Sequence, residues 1–348
     1  MKNSVKIVGL CLLLLAIISA PVFAQTPEKP LSDIKDAADQ FMQEMADSLP
    51  FNATIGLNWG DAYIGKVVDA PPHFGIGLSL GYTTMGYDSL KDLMAQFSLE
   101  LPPEFNLQGY PMIGYALEGR MGGFGLPFDI GLKGSFLPVP LPSQNLKVDY
   151  YLAGADIRYA ILQGEHGKKH PKLPVLSVGA GFNYLKGGIE KNDVGNNRTF
   201  EYTDPADGTT PQTLTLAEPK LGIIWETFNM DYKVQISKTL GAICPYAGFG
   251  ASKGWSNAGY GVTTTITDTG GYVTDTELTG TIKEYFEDMG IDGLTTKGFS
   301  SVKKFDGWSY RVFGGITFKS ALIKVDLTGM YNLKDGNYGV SFAIRYQM

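Results

Sequence analysis

Cysteine is almost missing from this sequence. Of the two in the 348-residue chain, Cys11 lies in an N-terminal apolar leader and only Cys244 stands beyond it. One thiol excludes an internal disulfide framework, and a chain of this length can bury a core without one. Histidine is scarce as well: His73, His166 and His170 are the only three. Charged residues make up 18% of the chain, below the usual quarter, and the formal net charge is −6. That sign argues against nucleic acid as a partner. Beyond the leader, no apolar run approaches the roughly eighteen residues a membrane-spanning helix needs. What is plentiful is glycine, 44 residues, together with a two-residue alternation of apolar and polar side chains.

In the leader, Lys2 and Lys6 precede the apolar run Ile7–Ile18, and Val22-Phe23-Ala24 forms a cleavage-like site before Gln25. Residues 1–24 read as a signal peptide cleaved after Ala24, so the mature chain is exported. Residues 25–50 differ from everything after them. Ser32 can cap a helix, Ile34, Ala37, Ala38, Phe41, Met45 and Leu49 recur at helical spacing, and Pro50 stops the pattern. This helix either rests on the mouth of the fold that follows or plugs it from the periplasmic side, with Phe41, Met45 and Leu49 turned inward.

Residues 51–348 read as strands. Val340, Phe342, Ile344, Tyr346 and Met348 alternate with Ser341, Ala343, Arg345 and Gln347. A strand with large apolar groups on one side and an arginine on the other needs two different solvents. The same grammar recurs from Phe51–Trp59, through a weaker run at 62–68 and a strong one at Phe74–Thr83, to the C-terminus. The fold class is therefore all-β: a transmembrane antiparallel β-barrel of about twelve strands, within roughly ten to fourteen. Trp59, Tyr82, Tyr159, Tyr184, Trp308 and Tyr346 fall near strand ends, as an aromatic girdle would. Long polar stretches at 85–109, 187–217 and 254–305 alternate with tight connections, and short helices are expected at Ser89–Phe97 and Lys283–Met289. An even strand count puts both termini at the short-turn, periplasmic end, and loops 187–217 and 254–305 outside.

The polar face carries Glu118, Arg120, Asp129, Lys133, Asp156, Arg158, Asp231, Lys233, Arg311, Lys324, Asp326 and Arg345. Charges on an inward face need water or one another. They line either a polar pathway or a salt-bridged filling, and their near-even signs predict little ion selectivity. The inward positions of the early strands are small: Gly75, Gly77, Ser79, Gly81, Gly114 and Ala116. They leave room for the N-terminal helix. His166 and His170 sit four apart in a turn containing Gly167 and Pro171, which suits a solvated turn better than a metal site. No catalytic constellation, metal site or cofactor site stands out, and the chain reads as a non-enzyme.

The terminal strand, Tyr338–Met348, resembles the last strand of bacterial outer-membrane β-barrels, with Met348 where that family usually ends in Phe. The resemblance implies residence in the bacterial outer membrane, lipid and a lipopolysaccharide-type surface as surroundings, and delivery by the outer-membrane assembly machinery through this strand. A helix before the barrel and helix-bearing loops resemble, in architecture alone, outer-membrane fatty-acid transporters. Three functions are expected from these readings. The first is a passive channel or transporter for small solutes. The second is a filled barrel that binds or adheres through loops 187–217 and 254–305. The third is a transporter of fatty-acid-like hydrophobic substrates.

Overall fold

The computed structural model describes residues 31–86, 88–96, 110–141, 146–166, 172–191, 198–203, 209–269 and 298–348. Helix α1 spans Leu31–Asn52 and helix α2 spans Asp88–Gln96. The strands are β1 Phe74–Met85, β2 Tyr110–Gly122, β3 Phe128–Leu141, β4 Leu146–Gln163, β5 Val175–Lys191, β6 Arg198–Thr203, β7 Pro211–Ser237, β8 Ile243–Asp268, β9 Gly298–Ser320, β10 Ile323–Asn332 and β11 Tyr338–Gln347.

All pairings are antiparallel. β1 pairs with β11 and β5 pairs with β7, so the sheet closes on itself. β6 pairs only with the far end of β7 and stands outside that ring. The barrel wall thus has ten strands and no open edge, which is the only way a sheet satisfies its backbone in lipid.

The two-residue period sorts the side chains by solvent. On β11, Val340, Phe342, Ile344 and Tyr346 are exposed, whereas Ser341, Ala343, Arg345 and Gln347 are buried. On β3, Leu132 is 62% exposed between Gly131 and Lys133, and Lys133 is 6% exposed. A soluble barrel would reverse this. On β9 the outward apolar run extends from Trp308 through Tyr310, Val312 and Ile316 to Phe318. Ten residues of tilted strand give a belt about 25 Å tall, the thickness of a hydrocarbon core. The aromatic rings Phe182, Phe228 and Trp255 stack in sequence around one rim, and Trp308 stacks on Tyr310.

Two ends follow from this belt. The connections after β2, β4, β7 and β9 lie at one end, which the tight turns after β2, β7 and β9 make the short-turn end. The connections after β1, β5 and β8 mark a long-loop end, where β7, β8 and β9 run beyond the belt as a freestanding wall. The stretches 187–217 and 254–305 are therefore not irregular loops at their bases: β5, β6, β7, β8 and β9 occupy much of them. α2 lies close to the helix expected at 89–97, whereas the one expected at 283–289, and His170, lie outside the described residues.

The main correction concerns residues 51–68, which contribute no strand. Phe51 and Asn52 end α1, and the chain from Ala53 to Gly65 runs buried through turns and bends, with no strand. Alternation cannot distinguish a wall strand from an irregular segment that touches a wall on every side. Losing these two expected strands brings the ring from about twelve to ten. Trp59 consequently belongs to no girdle; it is 1% exposed inside the barrel.

Candidate functional site

The site is the lumen with the segment that fills it. α1 stands in the vestibule made by the wall at the long-loop end. Its buried face, including Phe41, Met42, Met45, Ala46 and Leu49, clusters with Met85, Leu90, Leu185, Ile223, Trp225 and Ala258. The direction of the helix is fixed by its contacts. Pro50 packs on Gly254, where an added Cβ would come within 2.4 Å of the proline Cγ. One turn and more up the wall, Gln43 Nε2 donates to the Lys304 carbonyl at 3.3 Å. Higher still, Asp39 accepts from Ser301 at 2.6 Å and pairs with Lys303 at 2.8 Å. Burial pushes the Asp39 carboxyl up, but Lys303 and the Ser301 hydroxyl outweigh it and hold the group below the usual carboxylate range. Since β8 runs outward from Gly254 to Tyr260, the helix N-terminus points out of the long-loop end. The expectation of a helix at the short-turn mouth is overturned. The chain begins its helix at the opposite end and then threads down the lumen to start β1.

The small inward residues are where the threaded segment passes. A Cβ at Gly81 would meet Ile55 at 2.7 Å, and one at Gly75 would meet the Trp59 ring at 2.9 Å. The room is taken by residues 53–64 rather than by the helix. The segment has no sheet neighbour, so its backbone must find other partners. The wall supplies them from side chains. Asn229 donates to the Pro50 carbonyl at 2.7 Å. Lys133 Nζ donates to the carbonyls of Ala53 at 2.8 Å and Ile55 at 2.5 Å. Lys233 reaches Leu57, Gln235 reaches Trp59, and Arg158 reaches Asp61 at 2.7 Å. In the other direction, Gly60, Ala62 and Ile64 donate their N–H groups to Asp326, Ser237 and Asp129. Gly56 and Leu57 both lie at positive φ, 85° and 58°, between the two lysine grips. A leucine there is strained, and persists because its surroundings over-determine it.

The same wall residues also pair with one another. Arg120 bridges Asp129 at 2.5 Å and Asp156 at 2.7 Å, and Arg158 holds Asp129 at 2.8 Å. Lys233 pairs with Asp156 at 2.5 Å and Arg311 with Asp231 at 2.6 Å. Arg345 pairs with Asp326 at 2.7 Å. Trp59 lies between two guanidinium groups, 4.5 Å from Arg345 and 5.6 Å from Arg120, and donates to Glu118 at 2.5 Å. Of the twelve charges read from sequence, eleven are buried and Lys324 is half-buried, all on the inner face. Sequence reasoning missed three members of this network: Trp59, Asp61 and Lys319. The one available signal was a lone aspartate following Gly60 in an otherwise apolar alternation.

A cavity of about 10 Å³ beside Gly56, Lys133, Asp231 and Arg311 holds about one water. A larger one of about 250 Å³ opens at the short-turn end, lined by Asp61, His73, His166, Lys319, Lys324 and Met348 among others. There His166 sits edge-on to His73 at 5.3 Å and to Tyr63 at 5.6 Å. Among the described residues, no three His, Cys, Asp or Glu side chains form a metal-holding group.

No family model matches the chain, and no curated protein does. Among solved structures it is similar to the transport unit of the autotransporter AIDA-I from Escherichia coli. That match has a TM-score of 0.32 at 11% identity and covers 88% of this chain and 99% of the other. It is also similar to the toluene transporter TodX of Pseudomonas putida, with TM-score 0.27, 8% identity, and coverage of 85% and 96%. Ail of Yersinia pestis gives 0.24 at 10% identity, covering 79% and 97%. Scores this low carry no argument here, and the fold rests on the strand pairing and the lipid-facing belt. On those grounds the protein is a ten-stranded β-barrel of the outer-membrane type, its lumen filled by its own N-terminal segment.

Proposed function

We propose that the protein is a gated channel of the bacterial outer membrane for small solutes, and that the arrangement described is its closed state. The observation that carries this reading is how the segment 53–64 is held. Wall side chains grip its backbone through hydrogen bonds from Lys133, Lys233, Gln235 and Arg158, while its apolar packing on the wall is concentrated at its two ends, Phe51 on Tyr246, Phe313 and Met330, and Ala62 and Tyr63 on Ala160 and Val175. The Gln235 bond is worth about 1 kcal/mol net and those from the charged donors about 1.5–3 kcal/mol each, and water can replace them as the segment leaves. A segment held along its length by exchangeable polar grips can be released from the lumen. The polar inner wall also speaks against the hydrophobic-substrate reading. The reading includes long loops facing outward, assembly through β11, a lipid and lipopolysaccharide-type surrounding, and no enzymatic step.

A second reading has its own support. β7, β8 and β9 rise past the belt and hold α1 among them, which suits a sealed barrel that displays a binding surface. A disulfide separates the two. A Cβ on Gly86 would lie 3.7 Å from the Glu44 Cβ, a bridgeable distance. In a Cys244→Ser background, Glu44→Cys with Gly86→Cys pins α1 to the end of β1. Planar bilayers should show openings for the reduced protein and silence for the oxidised one. Silence in both states removes the channel reading and leaves the display reading.

A further inference from the structure

The charges that meet at the short-turn end come from different parts of the chain. Lys319 lies near the end of β9, Lys324 near the start of β10 and Arg345 on β11, so all three cations belong to the wall. The carboxylate on which they converge, Asp61, belongs to the threaded segment. Lys319 Nζ lies 2.8 Å from one of its oxygens; Lys324 Nζ and Arg345 Nη2 each lie 3.0 Å from the other. Arg345 is shared with Asp326, and Lys319 with Glu165 at 3.5 Å. Among the described residues, Lys324 has no acidic partner except Asp61. Three cations face three carboxylates here, and one of those carboxylates leaves with the segment. An uncompensated charge in a buried site is costly, so the wall would then hold another anion. The cavity of about 250 Å³ touches Asp61, Lys319 and Lys324 and opens at the short-turn end, which gives a small anion both room and a route.

We propose that Lys319, Lys324 and Arg345 form an anion site on the lumen wall. Asp61 fills it in the closed state, standing in for a small carboxylate or phosphate ion. It follows that the solutes are small anions, a conclusion that rests on the channel reading; the site itself does not. The even count of inward charges in the sequence hid this preference, because it could not separate charges that stay from the one that moves.

The test is rescue by a probe. Asp61→Ala in the full-length protein removes the internal carboxylate beside a cavity wide enough for formate. Sodium formate should raise the thermal unfolding midpoint of the variant in a saturable way. Sodium chloride at equal ionic strength should not, and wild type should respond to both salts alike. Adding Lys324→Gln should weaken the half-saturating formate concentration at least tenfold. Equal responses to formate and chloride, or no effect of Lys324→Gln, would overturn the proposal. If Asp61→Ala does not refold in chloride, refolding yield becomes the measurement: formate must restore it, and equal yields in the two salts count against the site. Bilayer recordings decide a separate matter. A barrel that shows formate rescue yet never conducts keeps the site and loses the solute assignment.

Discussion

At the scale of single residues, His166 is a group outside the belt whose surroundings set a pH dependence. Burial in the short-turn cavity pushes its imidazole down from the usual value of 6.5, and His73 beside it adds to the shift, while Glu165 and Asp61 oppose it. A base whose folded-state pKa is depressed contributes stability that is complete above the unfolded value and is withdrawn as pH falls through the folded one. Wild type should therefore lose thermal stability between about pH 7 and pH 5 more steeply than His166→Gln, measured by melting in detergent. Identical slopes would mean that the imidazole is solvated. The inward charges were legible in sequence because a strand's period assigns every residue a face. Trp59 and Asp61 were not legible, because their neighbours are distant in sequence: Glu118 and Arg120 on β2 and Arg345 on β11 for Trp59, and Lys319, Lys324 and Arg345 on β9, β10 and β11 for Asp61. Trp59 looked like a girdle residue for the same reason that it now fits between Arg120 and Arg345: a large ring with one polar edge suits both places.

At the scale of elements, the sequence set a helix with an apolar stripe at Phe41, Met45 and Leu49 before the barrel, but stopped it at Pro50, whereas α1 continues to Asn52. The stripe could not say which end of the barrel the helix occupies. That is decided by residues 53–64, whose length of chain crosses the belt before β1 begins. Read as a wall strand, those residues leave the helix at the short-turn end; read as a threaded segment, they carry it to the other. The strands β8 and β9 were cut short for a related reason. Above the belt their outer face meets water instead of lipid, and exposed residues such as Asn257, Lys304 and Asp306 break the apolar alternation. The consequence for α1 is testable on cells. With Cys244→Ser, a cysteine at the exposed Gln40 should react with an impermeant maleimide on intact bacteria, as should one at Thr269. A cysteine at Gly125, in the exposed β2–β3 turn, should react only after the outer membrane is opened. Labelling of Gln40→Cys that also waits for that opening would put the helix back at the periplasmic end.

At the scale of the whole molecule, the barrel meets two solvents outside, lipid and water, but inside it meets mostly itself. A hollow, wet lumen would tolerate an inward charge that the lipid face rejects. The filled lumen changes that expectation, and two neighbouring positions on β10 show how. Leu327 is 51% exposed and lies near the middle of the outward run, whereas Thr328 is 1% exposed and bonds the Tyr246 hydroxyl at 2.5 Å. Tyr246 in turn clusters with Phe51, Phe313 and Met330, where the threaded segment leaves α1. Leu327→Arg should cost about 2–4 kcal/mol in refolding titrations into lipid, the depth-dependent penalty of a cation in hydrocarbon, and leave the lumen shut. Thr328→Arg should cost about 1–3 kcal/mol through overpacking, in lipid and in detergent alike, because its strain is internal. The strain falls on Phe51, so this variant should also conduct where Leu327→Arg stays silent. If both variants are silent and Thr328→Arg costs nothing, the side of the lumen at Tyr246 is empty rather than filled. In that case the threaded segment cannot be what closes the barrel.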